Sequence, residues 1–247
     1  MTEPTIFGSS NDSPTIFVVF HKPCEIFNLP NNYKKIQVGK NCKIERINND
    51  FVNKTIDIND NFFKQMDYYD NIGDNISEYT VFLSENAALY WVWKNLKFNS
   101  DDYIGFCHYR RIINYPPNYK EFDIIYNNYF DGALLNTPVK TWINNYIDKD
   151  DYDFFIETHM KNNYIEDYKK FKLFEQDNYK NYCIRDIFIT KWKHFNIIME
   201  KFYNFYIKHI LSGYVPKTVC IEMIIGYIIW DLNKSLKNTD NLYYFRT

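Results

Sequence analysis

The sequence predicts an α/β fold built on a mostly parallel central sheet. Two short apolar runs, residues 15–20 and residues 103–107, have the composition of buried parallel strands. Between them, the segment from Ile76 to Leu96 carries apolar side chains around most of its circumference, which predicts a helix buried on more than one side. A chain of 247 residues is long enough for one α/β domain with a full core.

Residues 1–14 are polar and contain Gly, Ser and Pro, which predicts a flexible leader before a single domain over residues 15–247. No internal repeat or linker indicates a second domain. The remaining pattern predicts a short strand at residues 35–38, an irregular stretch at 41–69, a helical or irregular segment at 121–129, strands at 132–137 and 182–190, and helices at 162–174, 191–211 and 218–236.

Composition excludes several function classes. The formal net charge is −2, so the chain has no global basic field that would attract nucleic acid. Five dispersed cysteines argue against both a disulfide framework and a structural zinc site, and favour a reducing compartment. No early apolar run follows positive charge, and the most apolar stretch, residues 219–232, is too short to span a bilayer. We therefore expect a cytoplasmic protein.

The segment from Asp70 to Tyr115 organises the chain. It begins with the turn formers of residues 71–75, after which Asn75 or Ser77 is placed to cap the predicted helix. It continues into the strand at residues 103–107, which ends on His108-Tyr109-Arg110-Arg111. Ligands of open α/β sheets bind at the carboxyl ends of strands, and paired guanidiniums suit a phosphate. Arginines that pair with local acids on a solvated rim are an equally good interpretation.

The same segment resembles a known protein family. IGDNIS, ALYWVWKNL and DDYIGFCHYRR resemble, in the same order, blocks of a family of bacterial and viral exopolysaccharide-biosynthesis glycosyltransferases that has long been catalogued as a domain of unknown function. Weaker similarity extends to residues 17–22, 37–39, 134–138, 164–167 and 226–227. Trp230-Asp231 stands where members carry Glu-Arg, so no role of that pair can be transferred to this chain.

The resemblance implies a single GT-A-like (Rossmann-like) domain that transfers a hexose-type sugar from a nucleotide sugar, with UDP preferred by analogy. The implied acceptor is a glycan or a lipid-linked glycan in surface polysaccharide synthesis. Peripheral membrane contact stays open, because acceptors of this class are often lipid-linked. A catalytically silent nucleotide- or sugar-binding relative is the alternative, since the Glu-Arg pair is missing.

The residues that match the family suggest roles in binding the donor. The chain has no Asp-x-Asp at the strand end where many GT-A enzymes hold Mg²⁺ or Mn²⁺, so metal-independent operation is favoured and no metal ligand is assigned. Cations can counter phosphate charge directly, so we expect the cations at the ends of the two strands to bind the diphosphate. His108 would lie near the donor sugar or act as a metal ligand. The residues assigned to the nucleotide sugar are His21, Lys22, Asp74, Asn75, Tyr109, Arg110 and Arg111.

Each of these roles has a simpler alternative. Lys22 taken alone is equally well a solvated lysine, and His21 a local cap. Asp74 and Asn75, beside the helix start, are expected to bind hydroxyls of the sugar or ribose. For the base of an inverting reaction, the candidates besides His108 are Glu222, Glu157 and Asp153. Glu222 is unusual in so apolar a helix, whereas Glu157 is favoured about two to one as a surface acid.

Overall fold

A computed structural model describes residues 5–6, 13–24, 29–47, 50–53, 61–111, 113, 115–126, 138–177, 187–217 and 220–236. The chain forms two compact units. The first comprises residues 1–113, 189–196 and 246–247, and the second comprises residues 114–188 and 197–245. The expectation of a single domain over residues 15–247 stays a prediction.

The described strands include a mostly parallel, six-stranded mixed sheet flanked by helices, as the sequence predicts. Its order is β6-β3-β2-β8-β10-β9, and a parallel pair β1-β7 and an antiparallel hairpin β4-β5 accompany it. The strands are β1 (Thr5–Ile6), β2 (Thr15–Phe20), β3 (Tyr33–Gln37), β4 (Ile44–Ile47), β5 (Asp50–Asn53), β6 (Tyr68–Tyr69), β7 (Leu96–Lys97), β8 (Tyr103–His108), β9 (Ile124–Tyr126) and β10 (Phe188–Lys191).

The centre of the sheet is the parallel pair β2 and β8. Their register places Thr15 opposite Ile104 and Val19 opposite His108, so both strands end at the same edge. Phe17 stacks on Phe106 with ring centroids 5.4 Å apart, and this apolar face explains why the two runs form buried strands. The predictions for residues 15–20 and 103–107 are confirmed, with the second strand one residue longer.

The described α-helices are α1 (Thr80–Leu83), α2 (Ala87–Asn95), α3 (Val139–Tyr146), α4 (Lys149–Tyr152), α5 (Lys161–Asn163), α6 (Ile165–Gln176), α7 (Trp192–Phe202), α8 (Lys208–Leu211) and α9 (Ile221–Leu236). Two π-helical segments, Asp153–Met160 and Tyr203–Ile207, join α4 to α5 and α7 to α8. Short 3₁₀ segments lie at Asn61–Gln65, Ser77–Tyr79, Ser84–Asn86 and Tyr119–Glu121. No helix in the described ranges is long and apolar enough to cross a membrane.

Three sequence predictions need correction. The expected continuous helix from Ile76 to Leu96 is instead broken into 3₁₀ and α segments at Ser84. Residues 121–129 were expected to be helical or irregular, but β9 lies there, because pairing within a sheet overrides weak local preference. The stretch 41–69 contains a hairpin and β6 rather than irregular chain alone. The strand predicted at 132–137 lies outside the described residues, as does most of that predicted at 182–190.

The second unit is built around α9, which is buried along most of its length. Tyr227 is fully buried, and its hydroxyl donates a 2.9 Å hydrogen bond to Asp167. Lys201 bridges Asp167 at 2.7 Å and Asp231 at 3.0 Å. Trp230 donates its indole N–H to Asp177 at 2.6 Å. Trp230 and Asp231 therefore serve the packing of this unit.

Candidate functional site

Two histidines meet where β2 and β8 end. His21 follows β2 and His108 is the last residue of β8, and the strands are in register at Val19 and His108. The imidazole centroids lie 5.4 Å apart. Parallel pairing of two adjacent strands therefore brings together residues that are far apart in sequence, at the edge where α/β sheets bind ligands.

A third side chain reaches this edge because the helix before β8 is broken. Ser84 adopts φ 49° and ψ −135°, a backbone conformation that is rare for a residue other than glycine. α1 ends there and α2 begins at Ala87, with Glu85 in the 3₁₀ turn between them. The Glu85 carboxylate lies against His108, with Oε1 2.8 Å from Nε2 and 3.9 Å from Nδ1 of His21.

His108 is contacted on both ring nitrogens. Its Nδ1 accepts the backbone N–H of Arg110 at 3.2 Å and, more weakly, Nε–H of the same residue at 3.4 Å. An Nδ1 that accepts a hydrogen bond carries no proton, so the neutral ring carries its proton on Nε2, facing Glu85. On the other side of the ring, Nε2 lies 2.8 Å from Oε1 of Glu85.

The cluster keeps a fixed charge pattern near neutral pH. Burial alone would raise the pKa of the Glu85 carboxyl, but hydrogen bonds from His108 and Ser84 outweigh it and lower this pKa to about 2. Burial lowers the pKa of His21, the Glu85 carboxylate opposes this shift, and the neighbouring cations Lys22 and Arg110 add to the lowering. Glu85 is therefore an anion, and the pKa shift favours a neutral His21.

Aromatic packing holds the two histidines. The Tyr109 ring contacts both imidazoles, with centroids 4.0 Å from His108 and 5.3 Å from His21, and stacks on Phe20. Tyr109 is buried, and its hydroxyl has no hydrogen-bond partner among the described residues; the same holds for Nδ1 of His21. Buried polar atoms without partners are costly and mark places where a ligand or solvent contributes a bond.

The cations at this edge are available to a ligand. Arg110 is exposed, and no ion pair joins its guanidinium to a carboxylate within the described part of the chain. Lys22 is also exposed. The structure therefore does not support, for Arg110, the alternative in which the arginines pair with local acids. Arg111 donates its backbone N–H to the carbonyl of His108 at 2.7 Å, which closes the turn after β8.

The His21, Glu85 and His108 side chains also have the composition of a metal site, since one ligand atom from each lies within 4.8 Å of the others. Two imidazoles and one carboxylate suit a transition metal better than Mg²⁺. However, Nδ1 of His108 accepts N–H groups of Arg110, so a metal at Nε2 would have to displace the ring proton inferred there, and His21 would have to move closer because metal–nitrogen distances are about 2.1 Å. As placed, these residues fit a hydrogen-bonded cluster better than a metal centre.

The other half of the segment from Asp70 to Tyr115 is bound up in its own hydrogen bonds. Asp70 is buried and accepts hydrogen bonds from Gly39 N at 2.8 Å, Lys40 N at 3.4 Å and Ser77 Oγ at 2.7 Å. Burial raises the pKa of this carboxyl, although these bonds oppose the shift. Asp70 thus ties the chain after β3 to the start of the helical segment.

The turn at residues 71–75 is likewise held by α2. Asn95 accepts the N–H of Asp74 at 3.0 Å and donates to its carbonyl at 2.8 Å. Trp91 donates its indole N–H to Ile72 O at 2.6 Å. Gly73 has φ 73°, and a Cβ added there would lie 2.1 Å from Oδ1 of Asn95. We call residues 71–75 together with Trp91 and Asn95 the turn lock.

Two predicted ligand-binding residues lie in the turn lock. Asp74 accepts the hydroxyl of Tyr90 at 3.0 Å. Asn75 accepts the N–H of Ser77 at 3.3 Å and donates to Gly73 O at 2.9 Å. The helical segment that begins at Ser77 has Ile76 at its N-cap without a side-chain cap bond, so the cap predicted at Asn75 or Ser77 is wrong for this segment. These bonds explain both residues structurally, and their proposed contact with sugar or ribose hydroxyls stays a prediction.

The predicted acids Glu157 and Glu222 belong to the second unit. Glu157 contacts Lys172 at 2.6 Å and accepts the hydroxyl of Tyr168 at 2.9 Å. Burial opposes the lowering of its pKa, but these bonds dominate, so Glu157 is a weak proton acceptor. Glu222 is half-buried in the first turn of α9.

Glu85 is the site residue that sequence reasoning missed. Helical periodicity places it within an apparently continuous buried helix, and Ser84 is not a residue type that signals a break.

Fold and site together define an α/β protein whose ligand edge carries a histidine, glutamate and arginine cluster. The chain belongs to the family described as Domain of unknown function (DUF4422), whose profile matches residues 15–216. No curated protein matches the chain significantly by sequence.

Among solved structures, the chain is similar to the WbbM bifunctional glycosyltransferase in its apo form. The TM-score is 0.62 at 20% sequence identity, and the match covers 95% of this chain. It covers 45% of that protein, so this chain spans less than half of its length. At this identity the likeness establishes the fold, and the GT-A-like expectation for the architecture agrees with it.

Proposed function

We propose that this chain is a nucleotide-sugar-dependent glycosyltransferase whose donor binds at the shared ends of β2 and β8. The observation that carries the proposal is that the two ring nitrogens of His108 face groups of opposite charge. The exposed Arg110 lies at Nδ1, and the carboxylate of Glu85 lies at Nε2. A nucleotide sugar has matching parts, because its diphosphate is anionic and its sugars present hydroxyls. Family membership and the fold shared with a glycosyltransferase support the same proposal.

The reaction we propose is glycosyl transfer to a hydroxyl. The acceptor oxygen bonds to the anomeric carbon while the bond from that carbon to the diphosphate oxygen breaks. The electron pair leaves with the nucleoside diphosphate, and the acceptor proton passes to a base. Arg110, Arg111 and Lys22 would counter the charge that develops on the diphosphate. This assignment needs no metal at the phosphates.

The finer features of the proposal follow from the family resemblance. We propose a UDP-sugar donor, a hexose-type sugar, and a glycan or lipid-linked acceptor used in surface polysaccharide synthesis, with the enzyme in the cytoplasm or at a membrane surface. Glu222, Glu157 and Asp153 stay the proposed bases, and the bonds that Lys172 and Tyr168 make to the Glu157 carboxylate count against Glu157.

The proposal can be tested by thermal stabilisation with UDP, GDP, CMP and dTDP compounds, each with Mn²⁺ or with EDTA. A ligand that binds only the folded state raises the melting temperature. We expect one diphosphate to stabilise the wild type in EDTA and to lose that effect in Arg110→Ala. Lys97→Ala, which removes an equal charge from the exposed face of β7, is the matched control. The absence of a shift with every nucleotide would contradict the proposal.

A catalytically silent nucleotide-binding relative is the second candidate. The observation in its favour is that Asp231, in place of the family's Glu-Arg, is held by Lys170 at 2.8 Å and Lys201 at 3.0 Å. Hydrolysis of the bound nucleotide sugar without an acceptor separates the two. A silent relative releases no sugar, whereas a transferase releases it slowly.

A further inference from the structure

A chain of contacts runs from Glu85 through His108 to Arg110, and these contacts position the cation that is proposed to bind phosphate. Nε2 of His108 lies 2.8 Å from Glu85, and Nδ1 accepts both N–H groups of Arg110, at 3.2 Å from the backbone and 3.4 Å from the side chain. An anion beside Nε2–H favours the tautomer whose Nδ1 is an acceptor. Only that tautomer can hold Arg110 by these two bonds.

The protein keeps Glu85 at this position by unusual means. The Ser84 backbone at φ 49° turns the chain out of α1, and the Ser84 hydroxyl donates to the Glu85 carboxylate. A strained backbone persists only where the surroundings hold it in place, and such strain is concentrated at functional sites. The carboxylate is therefore presented to His108 by a local distortion rather than by a regular helix.

We propose that Glu85 is a positioning residue that holds His108 in its Nε2–H tautomer and thereby orients Arg110 for a diphosphate. The inference rests on the proposed function for its ligand, but the arrangement of protons that it requires can be measured without one. Under this inference, Glu85 contacts no phosphate and still controls how well the phosphate binds.

If Glu85 acted on the ligand only through its charge, neutralising it would change UDP affinity in the opposite direction from a positioning role. An anion close to a phosphate site repels the ligand, so Glu85→Gln on its charge alone should tighten the binding of UDP. If Glu85 acts through His108, the same substitution weakens binding, because a neutral amide no longer favours one tautomer and Arg110 loses its fixed orientation. The sign of the change in affinity therefore separates the two accounts.

The first measurement is the affinity for UDP in EDTA, by calorimetry, of wild type, Glu85→Gln and Glu78→Gln. Glu78 is exposed in the 3₁₀ turn Ser77–Tyr79, so its substitution removes an equal charge from a nearby segment outside the cluster. We expect Glu85→Gln to weaken UDP binding about tenfold, which is the value of one hydrogen bond to a charged group, and Glu78→Gln to leave it unchanged. Unchanged or tighter binding by Glu85→Gln would overturn this inference and leave the proposed function standing.

The second measurement is nitrogen-15 NMR of the histidine rings in the protein without nucleotide. We expect His108 to show a protonated Nε2 and an unprotonated Nδ1 in the wild type, and a mixture of tautomers in Glu85→Gln. A wild-type His108 protonated on Nδ1 would overturn the inference even if UDP binds. Failure of every nucleotide to bind, with the expected tautomer present, would instead overturn the proposed ligand and with it the role in phosphate binding.

A metal titration completes the test. Zn²⁺ added to the nucleotide-free protein should leave the Nε2–H signal of His108 in place. If one equivalent of Zn²⁺ removes that proton and moves it to Nδ1, then His21, Glu85 and His108 form a metal centre and the positioning role is wrong.

Discussion

The turn lock and the strand-end cluster come from one continuous segment of the chain, yet they treat their polar groups in opposite ways. In the turn lock, Asn95 and Trp91 bond the backbone of residues 72–74, and Asp74 and Asn75 are also bonded. In the strand-end cluster, His21 Nδ1 and the Tyr109 hydroxyl are buried without hydrogen-bond partners among the described residues, and Arg110 faces solvent. The turn lock leaves one buried side-chain atom, Oδ1 of Asn71, without a hydrogen-bond partner among the described residues. The strand-end cluster has more such atoms, together with an exposed guanidinium, and so has more bonding capacity left for a ligand.

The difference teaches that a dense sequence motif need not be a dense functional site. Residues 72–74, Trp91 and Asn95 are explained by packing a turn onto α2, whereas the proposed function would explain those at the end of β8. Substitutions in the turn lock should therefore change stability and leave affinity alone, whereas substitutions in the cluster should do the reverse.

The largest effect is expected at Gly73. Gly73→Ala forces a Cβ to within 2.1 Å of Oδ1 of Asn95 and requires a positive φ, so we expect the free energy of unfolding to fall by about 3 kcal/mol. Gly213→Ala is the matched control, since Gly213 has φ 95° with nothing within 4 Å of the added Cβ, and should cost about 1 kcal/mol. Denaturant unfolding measures both. Equal losses would mean that the contact with Asn95 does not matter.

The next largest effect is on ligand affinity. Arg110→Ala should weaken UDP binding by about 2 kcal/mol, roughly thirtyfold, through loss of charged hydrogen bonds to phosphate. The melting temperature without ligand should be unchanged, because Arg110 is exposed. Calorimetry and thermal unfolding of one preparation measure the two quantities. A large fall in melting temperature would show that Arg110 has a structural role like that of the turn lock.

A smaller effect tests one bond of the turn lock. Trp91→Phe keeps most of the ring but removes the N–H that bonds Ile72 O at 2.6 Å, leaving a carbonyl without its donor. We expect a loss of about 1 kcal/mol in the free energy of unfolding and no change in UDP affinity. Trp93→Phe on the same helix, where the ring is partly exposed, is the comparison. A loss of UDP affinity in Trp91→Phe would join the two regions functionally.

The smallest effect is a pH dependence at Glu85. Its folded pKa is about 2 and its ordinary value is 4.5, so the carboxylate contributes stability that is present above pH 4.5 and is lost as the pH falls toward 2. The difference in unfolding free energy between wild type and Glu85→Gln should therefore shrink as the pH falls from 4.5 toward 2. A difference that does not change between pH 5 and pH 2 would mean that the carboxylate is not held by His108 and Ser84.

The sequence predicts the parts of the fold in which local pattern and tertiary role agree. Residues 15–20 and 103–107 have the sequence pattern of buried strands, and they lie in the buried strands β2 and β8. The helical pattern at residues 191–211 corresponds to α7, a π-helical segment and α8. The strand β9 could not be predicted, because its three residues are a strand only by pairing within the sheet.

The candidate site was predictable only in part. His21, His108 and Arg110 could be placed together, because parallel strands end at one edge. Glu85 could not, because the positive φ of Ser84 leaves no mark in the residue type. Asp74 and Asn75 look like ligand groups in the sequence, but their bonding partners, Tyr90 and the backbone near Ser77, are set by the fold.

The most direct test of this comparison is hydrogen exchange measured by mass spectrometry with and without UDP, in EDTA. The peptides of interest cover residues 71–79, in the turn lock and the 3₁₀ turn that follows it, and residues 103–111, in β8 and the turn after it. We expect UDP to slow exchange in the peptide covering residues 103–111 and to leave the other unchanged. Protection of residues 71–79 instead would make Asp74 and Asn75 the ligand contacts and contradict the division between a stabilising turn and a binding strand end.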